Sequence, residues 1–217
     1  MAAANSPDNE RPELVASSFD AERDFPQAAE LMWQQWYGGR DVDLLRALAV
    51  DELLHYLEQA SFTEVVRRGD ELLGLVVARH GAPDPKLAAS LAPVRDRMDA
   101  RFGDIAQTVP RTDSYYVEVD AHRDMLAECG MPEDDMVLLL LVSPASRGLG
   151  LGRRLLKLAG DHLRSVGAPT MHLVTDTDCD WQFYDHIGME RLAERGRPAG
   201  AGPLTPDAYY LYGRSLR

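Results

Sequence analysis

The chain has 217 residues, a formal net charge of -12 and a hydrophobic fraction of 45%. These values are typical of one globular domain with a buried core, and the excess of acid argues against nucleic acid, whose phosphates require a basic face. Two cysteines are too few for a disulfide framework, no apolar run approaches the roughly 20 residues of a membrane span, and the first residues lack a signal peptide's basic and apolar segments. We therefore expect a cytoplasmic protein without nucleic-acid or membrane partners.

The N-terminal part of the chain predicts two helices followed by a hairpin. The first 18 residues are polar and mixed in charge, so we expect a flexible tail before a single domain over 19–217. Helical spacing of apolar residues, with Gly38-Gly39 as a stop and Asp41 or Asp43 as a cap, predicts the helices, and Gly69-Asp70 predicts the hairpin turn. The predicted bounds are about 25–37 and 41–57 for the helices, and 62–68 and 71–80 for the strands.

Residues 81–135 are predicted to form an insertion with its own packing. Prolines 83, 85, 93 and 110 interrupt the periodicity, although 94–102 is predicted to be helical and 115–119 extended. Long inserted segments of compact domains are often functional.

The remaining sequence alternates strands with helices. A buried strand over 137–142 leads through a glycine-rich loop into an amphipathic helix that ends at Gly167. Further strands are predicted over 170–175, 188–193 and 208–214, with a short helix over 180–186.

The loop before the amphipathic helix is the most informative segment. It carries Arg147, Gly148, Gly150, Gly152 and Arg153. Glycines let a ligand approach the backbone, the first N–H groups of a helix are unpaired, and the helix dipole favours negative charge. The arginines add positive charge at the same place. The pattern predicts a site for a phosphate-bearing ligand.

Spacing argues against two common phosphate ligands. A nucleoside triphosphate loop ends in GKS or GKT, whereas Gly152 is followed by Arg153-Arg154. A dinucleotide fold matches the order of elements, and Asp176 could hold a ribose, but no third glycine has the required spacing. Only about 40 residues follow Asp176, too few for the rest of a doubly wound sheet.

Two motifs and the order of elements resemble the GCN5-related N-acetyltransferases (GNAT). Residues 147–152 read RGLGLG and match the R-x-x-G-x-G/A signature. Residues 183–189 read FYDHIGM and are similar to the family's F-Y-x-x-x-G-F segment. The resemblance covers 137–195, extends to the helices and hairpin of 25–80, and is absent over 81–135. Thr177 departs from the family's frequent asparagine, and Met189 replaces a phenylalanine.

The resemblance implies an α/β (α+β) fold with a mixed, mostly antiparallel sheet of six or seven strands and helices on both faces. It implies acetyl-CoA as the cofactor, with the pantetheine arm along a V-shaped opening after Val142 and the pyrophosphate over residues 147–153. The implied cofactor-binding residues are Leu141, Val142, Arg147, Gly148, Leu149, Gly150, Leu151, Gly152, Arg153 and Thr177.

The implied reaction moves an acetyl group to a primary amine of a small molecule or an amino terminus, by direct attack in a ternary complex. Tyr184 matches the family tyrosine beside the departing sulfur and would act as the acid. An amine with a pKa near ~10 is protonated at neutral pH, so a base is also needed. Glu133, with Asp134 and Asp135, and Glu118, with Asp120, are the candidates.

A catalytically idle acyl-CoA-binding or regulatory domain is the alternative, because the loop alone does not distinguish the two. The six histidines show no metal-ligand spacing, so no metal is expected. We expect residues 81–135 to form part of the acceptor pocket or a homodimer contact.

Overall fold

The computed structural model describes residues 13–39, 42–103, 114–201 and 205–217. The strands in these ranges are β1 (Leu14–Ser17), β2 (Phe62–Arg68), β3 (Glu71–Arg79), β4 (Met136–Val142), β5 (Thr170–Asp176), β6 (Glu190–Gly196) and β7 (Ala208–Ser215). The helices are α1 (Ala21–Trp36), α2 (Asp43–Glu58), α3 (Pro85–Phe102), α4 (Ser114–Cys129), α5 (Leu151–Ser165) and α6 (Gln182–His186). None of these helices has both the length and the apolar character that crossing a membrane requires.

The strands form one sheet in the order β1-β2-β3-β4-β5-β7-β6. Every neighbouring pair is antiparallel except β4 and β5, which are parallel. The predicted mixed, mostly antiparallel sheet of six or seven strands is therefore confirmed.

The two parallel strands touch at one point only. Met136 of β4 pairs with His172 of β5, and the His172 N–H donates to the carbonyl of Asp135 at 3.1 Å. Beyond this pair the ladder stops. The pairing of β3 with β4 shifts register at Leu138, and such a bulge bends the strand that carries it. The expected opening after Val142 is wrong in position, because the strands separate just after Met136.

Helices cover both faces of the sheet, as predicted. α1 and α2 pack on one face, where Leu139 and Leu141 of β4 point, and α5 packs on the other against Met171 and Leu173. α4 covers the half of the sheet formed by β5, β6 and β7 and contacts Leu211. The split between β4 and β5 therefore lies between α2 and α4 on one face and beside α5 on the other.

The insertion and the expected tail differ from their predictions. Residues 14–17 form an edge strand, and only residues 1–12 of the expected tail lie outside the described residues. Residues 115–119, predicted as extended, belong to α4, because Ala121 and Met125 continue their apolar face at helical spacing and bury it against β7. α3 begins at Pro85. Proline lacks a backbone N–H, but at the first helical position that group would have no partner within the helix.

The N-cap of the second helix also differs from its prediction. Val42 is the N-cap of α2 without a side-chain cap, and Asp43 is its first residue. Asp41 lies outside the described residues.

Gly74 of β3 allows α5 to lie close to the sheet. A Cβ atom at this position would lie 2.8 Å from Leu155 Cδ1 and 3.2 Å from the carbonyl oxygen of Leu141. We expect Gly74→Ala to lower the free energy of unfolding by about 1–3 kcal/mol through overpacking. Gly196→Ala, in a strand with open space around the added atom, should change it by less than about 0.5 kcal/mol. Urea unfolding measures both; equal effects would contradict this account of the packing.

Candidate active site

The loop from β4 into α5 leaves several backbone N–H groups free. Gly148 and Gly150 have φ of 80° and 68°, a region that strains residues with a Cβ atom. Gly150 is the N-cap of α5 and provides no side-chain cap. Among the described residues, nothing accepts from the first-turn N–H groups of Leu151, Gly152 and Arg153. The loop is therefore built to bind an anion.

Two arginines stand at this loop with exposed side chains. Arg147 and Arg153 form no ion pair with the part of the chain that the structure describes. Their charges add to the helix dipole, which favours an anion at the same end.

Gly152 also joins the two sequence motifs. A Cβ atom there would lie 3.0 Å from Cζ of Phe183, so the glycine lets the aromatic ring rest on the first turn of α5. This contact places α6 beside the loop.

The open edge of β4 offers backbone groups to a ligand. The N–H of Ser143 donates to the carbonyl of Leu73 at 2.8 Å, and hydrogen bonds alternate along an antiparallel pair. By this alternation Leu141 bonds to β3, while Leu140 and Val142 face the gap. The expected backbone contact therefore suits Val142 and Leu140 rather than Leu141.

Tyr184 of α6 is a partly buried phenol among aromatic rings. Its ring centroid lies 5.2 Å from that of Phe183 and 5.3 Å from that of Tyr212. Burial raises the pKa of Tyr184 above its ordinary value, and the charges of Cys179, Asp180 and Asp176 raise it further. The phenol therefore keeps its proton at neutral pH and can donate it.

Three carboxyl groups from different elements interact electrostatically, and we call them the acidic cluster: Glu52 of α2, Glu118 of α4 and Asp176 of β5. Burial raises the pKa of Glu118 to about 8, and the charges of Glu52 and Asp176 act in the same direction. Burial likewise raises the pKa of Glu52 to about 7 and raises the pKa of Asp176.

Hydrogen bonds orient two members of the acidic cluster, Glu52 and Asp176. The hydroxyl of Tyr37 donates to Glu52 Oε2 at 2.9 Å, and that of Tyr56 donates to Oε1 at 3.3 Å. Asp176 Oδ1 accepts from the backbone N–H groups of Asp178 at 2.8 Å and Cys179 at 3.1 Å.

A cavity of about 240 Å³ lies between α2 and α4 above the split. Its floor is formed by β4 and β5, and its walls carry Tyr56 and Glu118. The remaining lining residues are His55, Gln59, Arg79, Val119, His122, Arg123, Leu126, Glu133, Met136, Val137, Leu138 and Val174.

A family model matches part of the chain. Residues 110–189 match the model described as the acetyltransferase (GNAT) family. This part of the chain therefore resembles the GNAT acetyltransferases in sequence. No curated protein matches the sequence. The match begins at residue 110, so the resemblance extends into α4, which the sequence motifs had left outside it.

Solved structures share the GNAT fold at low sequence identity. An aminoglycoside 6'-acetyltransferase type Ii is 14% identical with a TM-score of 0.55, covering 94% of this chain and 97% of that chain. An aminoglycoside 6'-N-acetyltransferase complexed with coenzyme A is 13% identical with a TM-score of 0.54 and coverages of 94% and 97%. The ribosomal-protein-S18-alanine N-acetyltransferase from Escherichia coli is 12% identical with a TM-score of 0.50 and coverages of 94% and 94%.

The candidate bases differ in their surroundings. Glu118 lines the cavity within the acidic cluster. Glu133 also lines the cavity, but its side chain is exposed and its carbonyl accepts from Arg79. The other candidates contact basic side chains: Asp134 contacts Arg79 at 3.5 Å, Asp135 contacts His80 at 2.6 Å, and Asp120 contacts Arg123 at 2.8 Å.

Thr177 is tied to the next strand of the domain. Its hydroxyl accepts from the backbone N–H groups of Asp207 at 2.9 Å and Ala208 at 3.4 Å. Thr177 therefore connects the end of β5 to the start of β7. The sequence predicted a cofactor contact at this position and did not predict this structural role.

Sequence reasoning missed Glu52 as a site residue. It lies in the helical stretch DELLHYLE, which has no motif. Only the packing of α2 beside the split brings it near Glu118 and Asp176.

The raised pKa of Glu118 predicts how stability depends on pH. The folded state binds this proton more tightly than the unfolded state, whose pKa is near 4.5. The stabilisation is complete below pH 4.5 and is lost as the pH rises through about 8. We expect Glu118→Gln to lose less stability than the wild type over this range, measured by urea unfolding at several pH values. Asp120→Asn, at an exposed position, is the control and should behave as the wild type.

Proposed function

We propose that this protein transfers an acetyl group from acetyl-CoA to a primary amine of a small molecule or an amino terminus, by direct attack in a ternary complex. The observation that carries this proposal is the position of Glu118. It lines the cavity between α2 and α4 above the split, while the anion-binding loop lies at the end of β4 beside α5.

The loop fits the phosphates of coenzyme A. Gly148 and Gly150 adopt left-handed conformations, so no side chain stands between a ligand and the free N–H groups of α5. Arg147 and Arg153 supply charge for a pyrophosphate. The backbone of Val142 and Leu140 is available to an extended amide arm. A neighbour of similar fold holds coenzyme A, which supports the assignment.

Bound acetyl-CoA would supply an activated thioester carbonyl. Glu118 would take the proton of the acceptor ammonium, because a carboxyl with a pKa of about 8 is close to the operating pH of a general base. Tyr184 holds a proton that it can donate to the departing sulfur. The two groups come from α4 and α6, on opposite sides of the β4–β5 split.

Cofactor binding should depend on the loop. Arg147→Ala is expected to weaken coenzyme A binding about tenfold, since it removes a charged hydrogen-bond donor. Lys157→Ala on the next turn of α5 makes the same charge change at an exposed position and should leave the affinity nearly unchanged. Isothermal titration calorimetry measures both. Absence of coenzyme A binding to the wild type would refute the proposed function.

Turnover should depend on Tyr184. In a panel of primary amines, release of free coenzyme A thiol should identify an acceptor for the wild type. With that acceptor, Tyr184→Phe is expected to lower kcat and kcat/KM by about 100-fold, because the lost proton transfer acts mainly in the transition state. Coenzyme A affinity and urea stability serve as controls and should change little.

An unchanged kcat in Tyr184→Phe, where chemistry limits turnover, would remove Tyr184 from the mechanism. Coenzyme A binding without acetylation of any amine would instead support an acyl-CoA-binding domain without catalysis.

A further inference from the structure

Tyr184 lies on a helix that is too short to hold its own position. α6 spans five residues, Gln182–His186, and none of them is buried. Isolated helices shorter than about 12–15 residues are marginal in water. Contacts with the rest of the protein must therefore fix the direction in which Tyr184 presents its hydroxyl group.

Asp185, the residue after Tyr184, is held by side chains of two neighbouring strands. The hydroxyl of Tyr212 on β7 donates to Asp185 Oδ1 at 2.9 Å, and Nη2 of Arg191 on β6 donates to Oδ2 at 3.0 Å. Arg191 also donates to the hydroxyl oxygen of Tyr212, from Nε at 3.2 Å and from Nη2 at 3.0 Å. Each of the three side chains therefore contacts the other two, and we call them the α6 anchor: Asp185, Arg191 and Tyr212.

The hydrogen bonds of the α6 anchor have fixed directions. A guanidinium group only donates and an ionised carboxylate only accepts, so Tyr212 accepts from Arg191 and donates to Asp185. Tyr212 is fully buried, and this burial raises its pKa, so the phenol keeps the proton that it donates. A polar network whose members are all satisfied is rigid. The anchor therefore holds Asp185 in one place against β6 and β7.

Arg191 also contacts the other end of α6. Its guanidinium carbon lies 4.8 Å from the ring centroid of Trp181, the residue before the helix, and 4.4 Å from that of Tyr210. Such cation–π contacts are attractive. A planar guanidinium can stack on rings while it donates in its own plane, which a lysine cannot do. One side chain thus contacts the residues at both ends of the helix that carries Tyr184.

The two neighbours of Tyr184 in sequence are attached in different directions. Phe183 rests on Gly152 of α5, and Asp185 is bound to β6 and β7 through the α6 anchor. The ring of Tyr184 itself lies against the ring of Tyr212, with 5.3 Å between the centroids. Attachments on both sides prevent rotation of the short helix about its axis, and so fix the phenol.

We propose that the α6 anchor positions the hydroxyl of Tyr184 for donation of its proton to the departing sulfur, with Arg191 as the central member. This inference rests on the proposed acetyl transfer and adds three positioning residues to it. Asp185, Arg191 and Tyr212 act through Tyr184 and transfer no proton to the substrate themselves.

A double-mutant cycle with Tyr184→Phe tests this role, using the acceptor that the panel of amines identifies. Arg191→Gln alone should lower kcat about tenfold, because a misplaced proton donor slows the chemical step. The KM of the acceptor and the affinity for coenzyme A should change little. In Tyr184→Phe, which has no phenol proton to position, the same substitution should change kcat by less than about twofold.

Arg195→Gln is the matched control. Arg195 lies on the same strand with a similarly exposed side chain, 36% against 31% for Arg191, and contacts Glu128 of α4. Its replacement should keep the wild-type kcat. Tyr212→Phe removes one oxygen atom from the α6 anchor and keeps the ring, so it should show the same dependence on Tyr184 as Arg191→Gln. It decides the test if urea unfolding shows that Arg191→Gln does not fold.

An equal loss of kcat with and without the Tyr184 hydroxyl would show that the anchor only supports the fold. That result, or an unchanged kcat in both Arg191→Gln and Tyr212→Phe, would overturn the inference and leave acetyl transfer standing. A wild type that acetylates no amine would overturn the proposed function, and a full kcat in Tyr184→Phe alone would overturn the role of Tyr184. The inference would fall with either.

Discussion

The single contact between β4 and β5 is the constraint on which the rest of the site depends. Met136 and His172 hold the two strands together, and the bulge at Leu138 turns β4 away immediately afterwards. Each strand keeps a full antiparallel partner on its other side, so the sheet remains one body while its centre opens. Beyond Met136, the backbone groups of β4 on the side of β5 have no strand to pair with, and a ligand with amide groups can form those hydrogen bonds instead.

Helix packing gives the two sides of this opening different chemistry. On one side α5 directs its unpaired N–H groups and exposed arginines to the end of β4, which favours an anion. On the other side α4 places Glu118 in the wall of the cavity, where its carboxyl group can meet an amine. Burial raises the pKa of Glu118 in this wall, so the protein loses stability as the pH rises and this carboxyl group gives up its proton.

Aromatic contacts fix Tyr184, the proposed acid. The ring of Phe183 rests on Gly152, so the short α6 is held against the first turn of α5. Tyr184, the next residue, is thereby placed against Tyr212 of β7. Thr177 stands where the GNAT family often has an asparagine. Its hydroxyl accepts hydrogen bonds from the backbone N–H groups of Asp207 and Ala208, at the start of β7.

The sequence by itself determined the local elements and the anion-binding loop. Helical and strand periodicity, the hairpin at Gly69-Asp70 and the glycines before α5 are signals between near neighbours in the chain, and the structure has all of them. It did not predict that residues 115–119 are helical, because the helix is stabilised by packing against β7, which is distant in sequence. Nor did it reveal the raised pKa values of Glu52 and Glu118. These shifts arise from burial and from the charges of residues far apart in sequence, and only the tertiary structure brings those residues together.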